Sequence, residues 1–295
     1  MTIKPGVYTA LITPFNQDGT IDYGALRELV EFQIQEGITG LVPVGTTGES
    51  PTVSHEENLK IIEEVVKQAA GRVPIIAGTG SNCTQEAIDM TKRAKDIGAD
   101  ASLQVAPYYN KPNQEGFYKH FTSIADTCQL PIVIYNIPGR TGKNIETNTI
   151  LKLASHPNIV AVKEASGNLS QIMDIIREAP ADFTILSGDD NITYPFITLG
   201  GHGVISVASN LIPGTMTKFI SAALAGDIKT AKAEHYRLLP LFKNLFIDTN
   251  PIPIKFAMSL LKNLNIRETY RLPLCPLSQE KKETVKNTLK ELKII

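Results

Sequence analysis

The sequence is short of net charge, of cysteine and of long apolar runs, and each shortage excludes a class of function. Its 295 residues carry a formal net charge of −1, so a general affinity for nucleic acid or for an anionic membrane is not expected. The three cysteines are odd in number and far apart, which favours a reducing compartment over a disulfide framework. The N-terminal apolar run ends at Pro14, too early to span a bilayer, and no cleavage site of small residues is visible. We therefore expect a cytoplasmic protein.

Metal-ligating and nucleotide-binding motifs are also missing. The five histidines are scattered without the HxH or HExxH spacing of zinc sites. No GxGxxG sequence follows a strand, and no GxSxG sequence marks a nucleophilic serine. The sequence therefore predicts neither a metal site nor a cofactor.

Short apolar segments rich in β-formers alternate along the chain with segments of helical periodicity. Eight such strand–helix repeats favour a closed parallel barrel over an open sheet, and near-continuously apolar strands are typical of a sheet covered on both faces. After residue 226 the pattern changes to helices without strands. The sequence thus predicts an α/β protein, with a (β/α)8 TIM barrel over 1–225 and a C-terminal helical domain over 226–295. The predicted strands are 7–13, 40–44, 74–78, 101–105, 131–136, 159–164, 183–188 and 203–208, and the predicted C-terminal helices are 227–246, 252–264 and 278–292.

Several helix boundaries are marked by their residue types. Ser54 and Glu57 have the spacing of a capping box at the start of a helix over 55–70. Thr84 is predicted to cap the next helix, and glycines 98 and 200 are predicted to end helices.

The polar residues that follow the predicted strands are the candidates for chemistry, because barrel enzymes carry their reactive groups at the carboxyl ends of the strands. They are Thr46, Thr47, Glu49, Tyr108, Tyr109, Asn110, Tyr135, Asn136, Arg140, Lys163, Glu164, Ser187, Gly188 and Asp189.

Lys163 is the strongest of these candidates. Strand alternation puts Ile159, Ala161 and Lys163 on one face, and if that face points into the barrel, burial lowers the pKa of the amine. An unprotonated amine can add to a carbonyl and form an imine. The alternative is a strand-end lysine whose ammonium group reaches solvent.

Three further features fit a site around Lys163, each with a simpler alternative. Tyr135 shares a parity with Val133 and should face inward on the neighbouring strand, either to transfer protons or as a buried tyrosine with a satisfied hydroxyl. The turn GTTGES at 45–50 can hold a carboxylate through amides and hydroxyls, or can be an ordinary tight turn. Arg140 lies on a loop above the barrel mouth and is either a bidentate carboxylate ligand or a solvated side chain.

Six motifs, taken in order, resemble those of the dihydrodipicolinate synthase family, and the resemblance extends to NPIPIKFA (250–257) and RLPL (271–274), essentially from end to end. It implies a (β/α)8 barrel with a helical C-terminal extension that assembles as a homotetramer of two tight dimers. It also implies condensation of pyruvate with L-aspartate 4-semialdehyde through a lysine Schiff base, giving 4-hydroxy-tetrahydrodipicolinate for lysine and diaminopimelate biosynthesis. The six motifs are GTTGES (45–50), PYYNKP (107–112), YNIPGRTG (135–142), IVAVKEA (159–165), LSGDD (186–190) and GGHGVISV (200–207).

The resemblance also implies the catalytic residues. Lys163 is expected to form the imine and Tyr135 to transfer protons above it. Thr47 is expected to link Tyr135 to Tyr109, which the family supplies across the tight-dimer interface.

The substrate-binding residues are implied in the same way. The amides of Thr46 and Thr47 are expected to hold the pyruvate carboxylate, and Arg140 to bind the semialdehyde. Gly188 is expected to line the substrate site, and Ile205 to present its backbone carbonyl near the reacting centre.

Two other functions remain open on the sequence. N-acetylneuraminate lyase and the 2-keto-3-deoxygluconate aldolases share the barrel and the imine, but the two consecutive threonines of GTTGE and an arginine directly after Pro138-Gly139 favour the synthase. An inactive barrel that serves as a binding protein is a second alternative. Intact Lys163, Tyr135 and Thr47 argue against it.

A further set of residues matches the positions where L-lysine binds feedback-sensitive relatives, at the tight-dimer interface. Glu86 is expected to pair with the lysine amine, and Asn82 and Tyr108 to hold its carboxylate. Asn58 stands where sensitive bacterial relatives often carry histidine, so partial inhibition is expected. The alternative is that these residues only pack a polar interface. The matching positions are Ser50, Pro51, His55, Asn58, Asn82, Glu86 and Tyr108.

Overall fold

Eight parallel strands alternate with helices in the computed structural model, which describes residues 3–295. The strands are β1 (Gly6–Ala10), β2 (Gly40–Val42), β3 (Ile76–Gly78), β4 (Ala101–Val105), β5 (Ile132–Asn136), β6 (Ile159–Glu164), β7 (Thr184–Ser187) and β8 (Gly203–Ser206). They pair in the order β2-β1-β8-β7-β6-β5-β4-β3. The outer strands of this order, β2 and β3, meet through a parallel bridge between Leu41 and Ile75, so the barrel is nearly closed. The predicted fold class is confirmed.

Helices cover the outside of the barrel and continue past its last strand. Those up to α9 connect or follow the strands, and α10 to α12 form the C-terminal extension. The helices are α1 (Tyr23–Gln35), α2 (His55–Ala69), α3 (Thr84–Ile97), α4 (Gln114–Cys128), α5 (Pro138–Thr141), α6 (Thr147–Ala154), α7 (Leu169–Glu178), α8 (Thr193–Thr198), α9 (Pro213–Leu224), α10 (Ile228–Asn244), α11 (Ile252–Ser259) and α12 (Gln279–Glu291), with short 3-10 turns at Ser50–Thr52, Asp190–Ile192 and Ala208–Asn210.

The ends of the helices test the predicted caps. The capping box at α2 is present, because Ser54 accepts from the Glu57 amide and the Glu57 carboxylate accepts from the Ser54 amide. The predicted cap at Thr84 is wrong: Cys83 occupies the cap position, and Thr84 is the first helical residue. Its hydroxyl instead lies 2.9 Å from Nδ1 of His120. The Thr84 hydroxyl therefore makes a tertiary contact rather than capping its own helix.

The inner face of the barrel carries a cluster of buried side chains drawn from all eight strands. Strand alternation correctly places Val133, Tyr135 and Ala161 in this cluster. It fails at Ile159, which belongs to the cluster beneath the outer helices. The reason is a register shift between Ile132 and Val133 where β5 pairs with β6, because an irregularity of one residue changes which side chains face inward.

The C-terminal extension shares its core with the barrel. Leu238 of α10 and Leu289 of α12 lie in one buried cluster with Leu41 of β2 and Leu26 of α1. We propose that 226–295 is a helical domain that docks on the barrel 1–225 through this common core. No helix within residues 3–295 is both long and apolar enough to cross a bilayer.

Candidate active site

Lys163 lies at the carboxyl end of β6 inside the barrel. Its side chain is 6% exposed, and it pairs in register with Tyr135 of β5, with its Nζ atom 4.1 Å from the centroid of the tyrosine ring. Burial lowers the pKa of Lys163 to about 8, although the carboxylates of Asp189 and Asp190 act in the opposite direction. A fraction of the amine is therefore unprotonated at neutral pH, as nucleophilic attack requires.

Tyr135, which belongs to the inner cluster, lies beside this amine. Burial raises the pKa of its phenol, while the positive charge of Arg140 and a hydrogen-bonding contact with the Thr46 side chain lower it. The hydroxyl is thus protonated at neutral pH and faces a second hydroxyl through which a proton can pass.

The threonine beside Tyr135 differs from the expected one. The sequence resemblance predicts Thr47, whereas the structure gives this contact to Thr46. Thr47 is buried, and its hydroxyl accepts a hydrogen bond from Nδ2 of Asn250 at 3.0 Å. The two adjacent threonines therefore point to different partners, one towards the barrel mouth and one towards the C-terminal extension.

The turn that carries these threonines closes on itself. The amide of Gly48 donates to the carbonyl of Gly45 at 3.1 Å, and the amide of Glu49 donates to the carbonyl of Thr46 at 3.1 Å. Within residues 3–295, the amides of Thr46 and Thr47 have no hydrogen-bond acceptor. Two neighbouring amides without a protein acceptor are suited to bind a carboxylate.

Arg140 is positioned by a residue that the sequence did not single out. Its Nη2 donates to the carbonyl oxygen of Asn250 at 3.1 Å, and the same asparagine holds Thr47. Asn250 lies 203 residues from Thr47 in the chain, so only the folded structure brings these groups together. Its presence in the NPIPIKFA motif was the one available signal.

Gly188 directly follows β7, and Ile205 belongs to β8. A Cβ atom on Gly188 would lie 2.5 Å from Cβ of Ala165 and 3.2 Å from Cε of Lys163, so a larger residue would clash with Ala165 and press on the lysine side chain. Ile205 is fully buried and belongs to the inner cluster. Gly188 therefore lies beside the Lys163 side chain, and Ile205 lies in the interior of the same barrel.

The remaining strand-end residues do not all face the mouth. Glu164 is fully buried, and its carboxylate accepts from Nδ2 of Asn136 at 2.9 Å and from the amide of Ser166 at 2.7 Å. Burial raises its pKa. Glu164 and Lys163 are adjacent on β6, so their side chains point to opposite faces of the strand. The hydrogen bonds of Glu164 therefore hold the face of β6 opposite to Lys163.

Tyr109 does not reach Tyr135 within one chain. Its side chain is 90% exposed, its backbone has a φ of 69°, and it is absent from the residues that line the cavity around Tyr135. A left-handed conformation is uncommon for a bulky residue, so the loop presents this tyrosine away from its own site.

A cavity of about 650 Å³ extends from the barrel mouth towards the predicted lysine-binding positions. Nε2 of His55 lies 2.9 Å from Oε1 of Glu86, so Glu86 already has a partner in this chain. Asn82 does not line the cavity, but its Nδ2 donates to the carbonyl of Tyr108 at 3.1 Å. The lining residues include Thr46, Tyr135 and Arg140 at one end and Ser50, Pro51, His55, Asn58, Glu86 and Tyr108 at the other.

No metal site accompanies these groups. Across residues 3–295, no group of three His, Cys, Asp or Glu side chains could hold a metal ion.

Comparison with known proteins gives a consistent result. Residues 4–292 match the model of the dihydrodipicolinate synthetase family. The chain is 50% identical over 291 residues to the 4-hydroxy-tetrahydrodipicolinate synthase of Methanocaldococcus jannaschii, covering 98% of this chain and 99% of the relative.

Two solved structures are similar over their whole length. The dihydrodipicolinate synthase of Acinetobacter baumannii, described as chloride-inhibited and complexed with pyruvate, has a TM-score of 0.97 at 43% identity, with 100% of both chains covered. The enzyme of Cyanidioschyzon merolae, solved with lysine bound, has a TM-score of 0.96 at 40% identity, again with 100% of both chains covered.

Proposed function

The chain belongs to the dihydrodipicolinate synthetase family, and on this basis we propose that it condenses pyruvate with L-aspartate 4-semialdehyde to give 4-hydroxy-tetrahydrodipicolinate. The observation that carries the proposal is Lys163. It is a buried amine at the carboxyl end of a barrel strand, its pKa is lowered to about 8, and a protonated phenol lies beside it.

The chemistry starts at Lys163. Its unprotonated amine adds to the ketone of pyruvate, and uptake of a proton with loss of water gives a protonated imine. The imine acidifies the pyruvate methyl group, so that loss of a proton gives an enamine. The enamine carbon then attacks the aldehyde of the second substrate and forms the carbon–carbon bond.

Proton transfer in these steps is assigned to Tyr135. Thr46 is the group through which the Tyr135 proton passes, because its side chain contacts the phenol. Tyr109 is assigned to the same relay in a neighbouring subunit, since its exposed position leaves it free to cross a dimer interface. A relay of hydroxyls moves protons without placing a full charge in the buried mouth.

The substrate carboxylates are assigned to two elements of the mouth. The amides of Thr46 and Thr47 bind the pyruvate carboxylate, and Arg140, held by the Asn250 carbonyl, binds the semialdehyde. Gly188, whose Cα lies beside the Lys163 side chain, is assigned to line the substrate site, and Ile205 is assigned to present its backbone carbonyl near the reacting centre.

Borohydride trapping tests the imine. Purified protein incubated with pyruvate and reduced should gain one adduct per chain, and peptide mapping should place it on Lys163. An adduct on another lysine, or none, would contradict the mechanism.

A coupled assay tests the second substrate. Product formed from pyruvate and aspartate semialdehyde is reduced by the next enzyme of the route, and cofactor oxidation is recorded. Arg140→Ala should impair use of the semialdehyde by about 2–4 kcal/mol, the range for loss of a charged contact, while pyruvate trapping survives. A higher rate with N-acetylneuraminate or 2-keto-3-deoxygluconate would reassign the enzyme to a related aldolase. Trapping of pyruvate without turnover of any of these substrates would support a binding protein.

L-lysine is proposed as a feedback inhibitor, and a homotetramer in the cytoplasm as the working state. The residues proposed to bind lysine, apart from Asn82, line the far end of the cavity described above. Titration of L-lysine into the coupled assay should give partial inhibition that is lost in Glu86→Ala. An unchanged rate at millimolar lysine would exclude regulation.

A further inference from the structure

A fully buried ion pair joins the C-terminal extension to the turn that carries Thr46 and Thr47. Nζ of Lys255, on α11, lies 2.5 Å from Oε1 of Glu49, and both side chains are 0% exposed. The two residues are 206 positions apart in the chain. Neither residue is among those to which the proposed chemistry assigns a role.

The surroundings of the pair hold it in one arrangement. The Lys255 ammonium lies 4.1 Å from the centroid of the Phe15 ring and 5.3 Å from that of Tyr270, so aromatic faces stabilise its charge. The second carboxylate oxygen of Glu49 accepts from the amide of Arg271 at 3.4 Å. The extension thus contacts Glu49 through both carboxylate oxygens.

Stability alone does not explain such a pair. Removing two charges from water costs free energy that their attraction only partly returns, and apolar replacements of a buried pair are often neutral or stabilising. A fully buried pair that links the C-terminal extension to the Thr46–Thr47 turn therefore points to control of that turn's geometry.

The backbone shows how the carboxylate of Glu49 controls the turn. Glu49 has a φ of 56°, a left-handed conformation that is unfavourable for a residue of its type. In this conformation its amide donates to the carbonyl of Thr46 at 3.1 Å. That carbonyl belongs to the peptide whose amide is on Thr47, so the side-chain anchor of Glu49 fixes the direction of an amide proposed to bind carboxylate.

We propose that the Glu49–Lys255 pair is a positioning element for pyruvate: the C-terminal extension holds the Thr46–Thr47 turn in its binding geometry through these two charges. The inference rests on the proposed function, because it assumes that the turn binds the pyruvate carboxylate. It predicts that loss of the pair weakens pyruvate binding more than it slows the reaction of bound pyruvate.

Trapping at a series of pyruvate concentrations measures this binding without the second substrate. Full-length wild type, Glu49→Gln, Lys255→Met and the double variant are reduced with borohydride, and the fraction of adduct is read by intact mass spectrometry. The pyruvate concentration for half-maximal adduct should rise tenfold or more in each variant, while the maximum stays at one adduct per chain. The double variant should be no worse than Lys255→Met alone, because the two residues act as one unit.

Lys281→Met is the matched control. It removes a lysine of the same extension from a pair with Asp248, whose side chains are 38% and 33% exposed, and it should leave the half-maximal concentration within twofold of wild type. Thermal midpoints of all variants are measured alongside.

The outcomes separate the inference from the proposed function. A wild type that traps no pyruvate would defeat the proposed function, and with it the basis of the inference. If the wild type traps pyruvate and the folded pair variants reach half-maximal adduct at a pyruvate concentration within twofold of the wild-type value, only the positioning role is overturned. If Lys255→Met does not fold, Glu49→Gln and the double variant supply the measurement. Loss of folding in all three would also overturn the inference, since the pair would then be a requirement of the fold.

Discussion

Replacing Lys163 with methionine should make the protein more stable at neutral pH while removing its ability to form an imine. Methionine has a similar length and no charge, so it fills the same space with little strain. The wild-type lysine is 6% exposed, and within residues 3–295 its amine has no salt-bridge partner, in contrast to the paired Lys255. The folded wild type therefore bears the cost of a buried positive charge that the variant lacks.

The size of this effect follows from the pKa. Burial lowers the pKa of Lys163 from 10.5 to about 8, and each unit corresponds to about 1.36 kcal/mol, which gives a cost of about 3 kcal/mol when the amine is charged in both states. The lowered pKa already includes the attraction of Asp189 and Asp190, which acts in the opposite direction to burial, so the expected gain in the variant is about 3 kcal/mol. The folded pKa is the lowered one, so the advantage of methionine is largest below pH 8 and decreases as the pH rises towards 10.5.

Urea denaturation at fixed protein concentration measures the difference, because assembly makes apparent stability depend on concentration. Unfolding is compared at pH 7 and pH 9.5 for wild type and Lys163→Met. Lys255→Met is the contrast: it leaves the Glu49 carboxylate buried and unpaired, which costs about 3–5 kcal/mol. A Lys163→Met variant that is less stable than wild type at pH 7, or an advantage that does not change between the two pH values, would refute the reasoning.

Three further substitutions test the geometry of the mouth. Tyr135→Phe should reduce kcat in the coupled assay by about 100-fold or more, since it removes a general acid–base group. The control Tyr8→Phe loses a hydroxyl that donates to the Lys4 carbonyl and should leave kcat unchanged. Equal losses of kcat in the two variants would contradict the role of Tyr135. Gly188→Ala should slow imine trapping because its methyl group would lie 2.5 Å from Cβ of Ala165, at about 1–3 kcal/mol of strain, and a wild-type trapping rate would show that the site has spare room. Thr46→Val should lower kcat by about tenfold, which corresponds to the loss of one hydrogen bond. A larger loss of kcat in Thr47→Val would assign the proton relay to Thr47 instead.

The barrel and the buried lysine at the end of β6 could be predicted because both follow from local rules. Eight apolar segments separated by helical ones leave few topologies, and a lysine at the end of a buried strand conflicts with its surroundings. Strand alternation then placed Tyr135 beside Lys163 correctly, because the register between β5 and β6 is regular at that end.

The remaining features depend on contacts that no local pattern encodes. Ile159 faces outward because the pairing of β5 with β6 shifts near its start, and an irregularity of this kind leaves no signature in the alternation of apolar residues. Asn250 reaches Thr47 and Arg140 only after the C-terminal extension has folded over the barrel. The choice between Thr46 and Thr47 likewise depends on which way a tight turn directs two adjacent side chains.

The two buried lysines of this chain show why charge alone does not identify a reactive amine. Burial lowers the pKa of both Lys163 and Lys255 to about 8. Lys255, however, donates to the Glu49 carboxylate at 2.5 Å, and both side chains are 0% exposed, so its amine is already engaged in an ion pair. Lys163 has no such partner and faces a phenol at the open end of the barrel. Within residues 3–295, the buried amine without an ion-pair partner is the one proposed to react, and the paired one is proposed to hold the turn that carries Thr46 and Thr47.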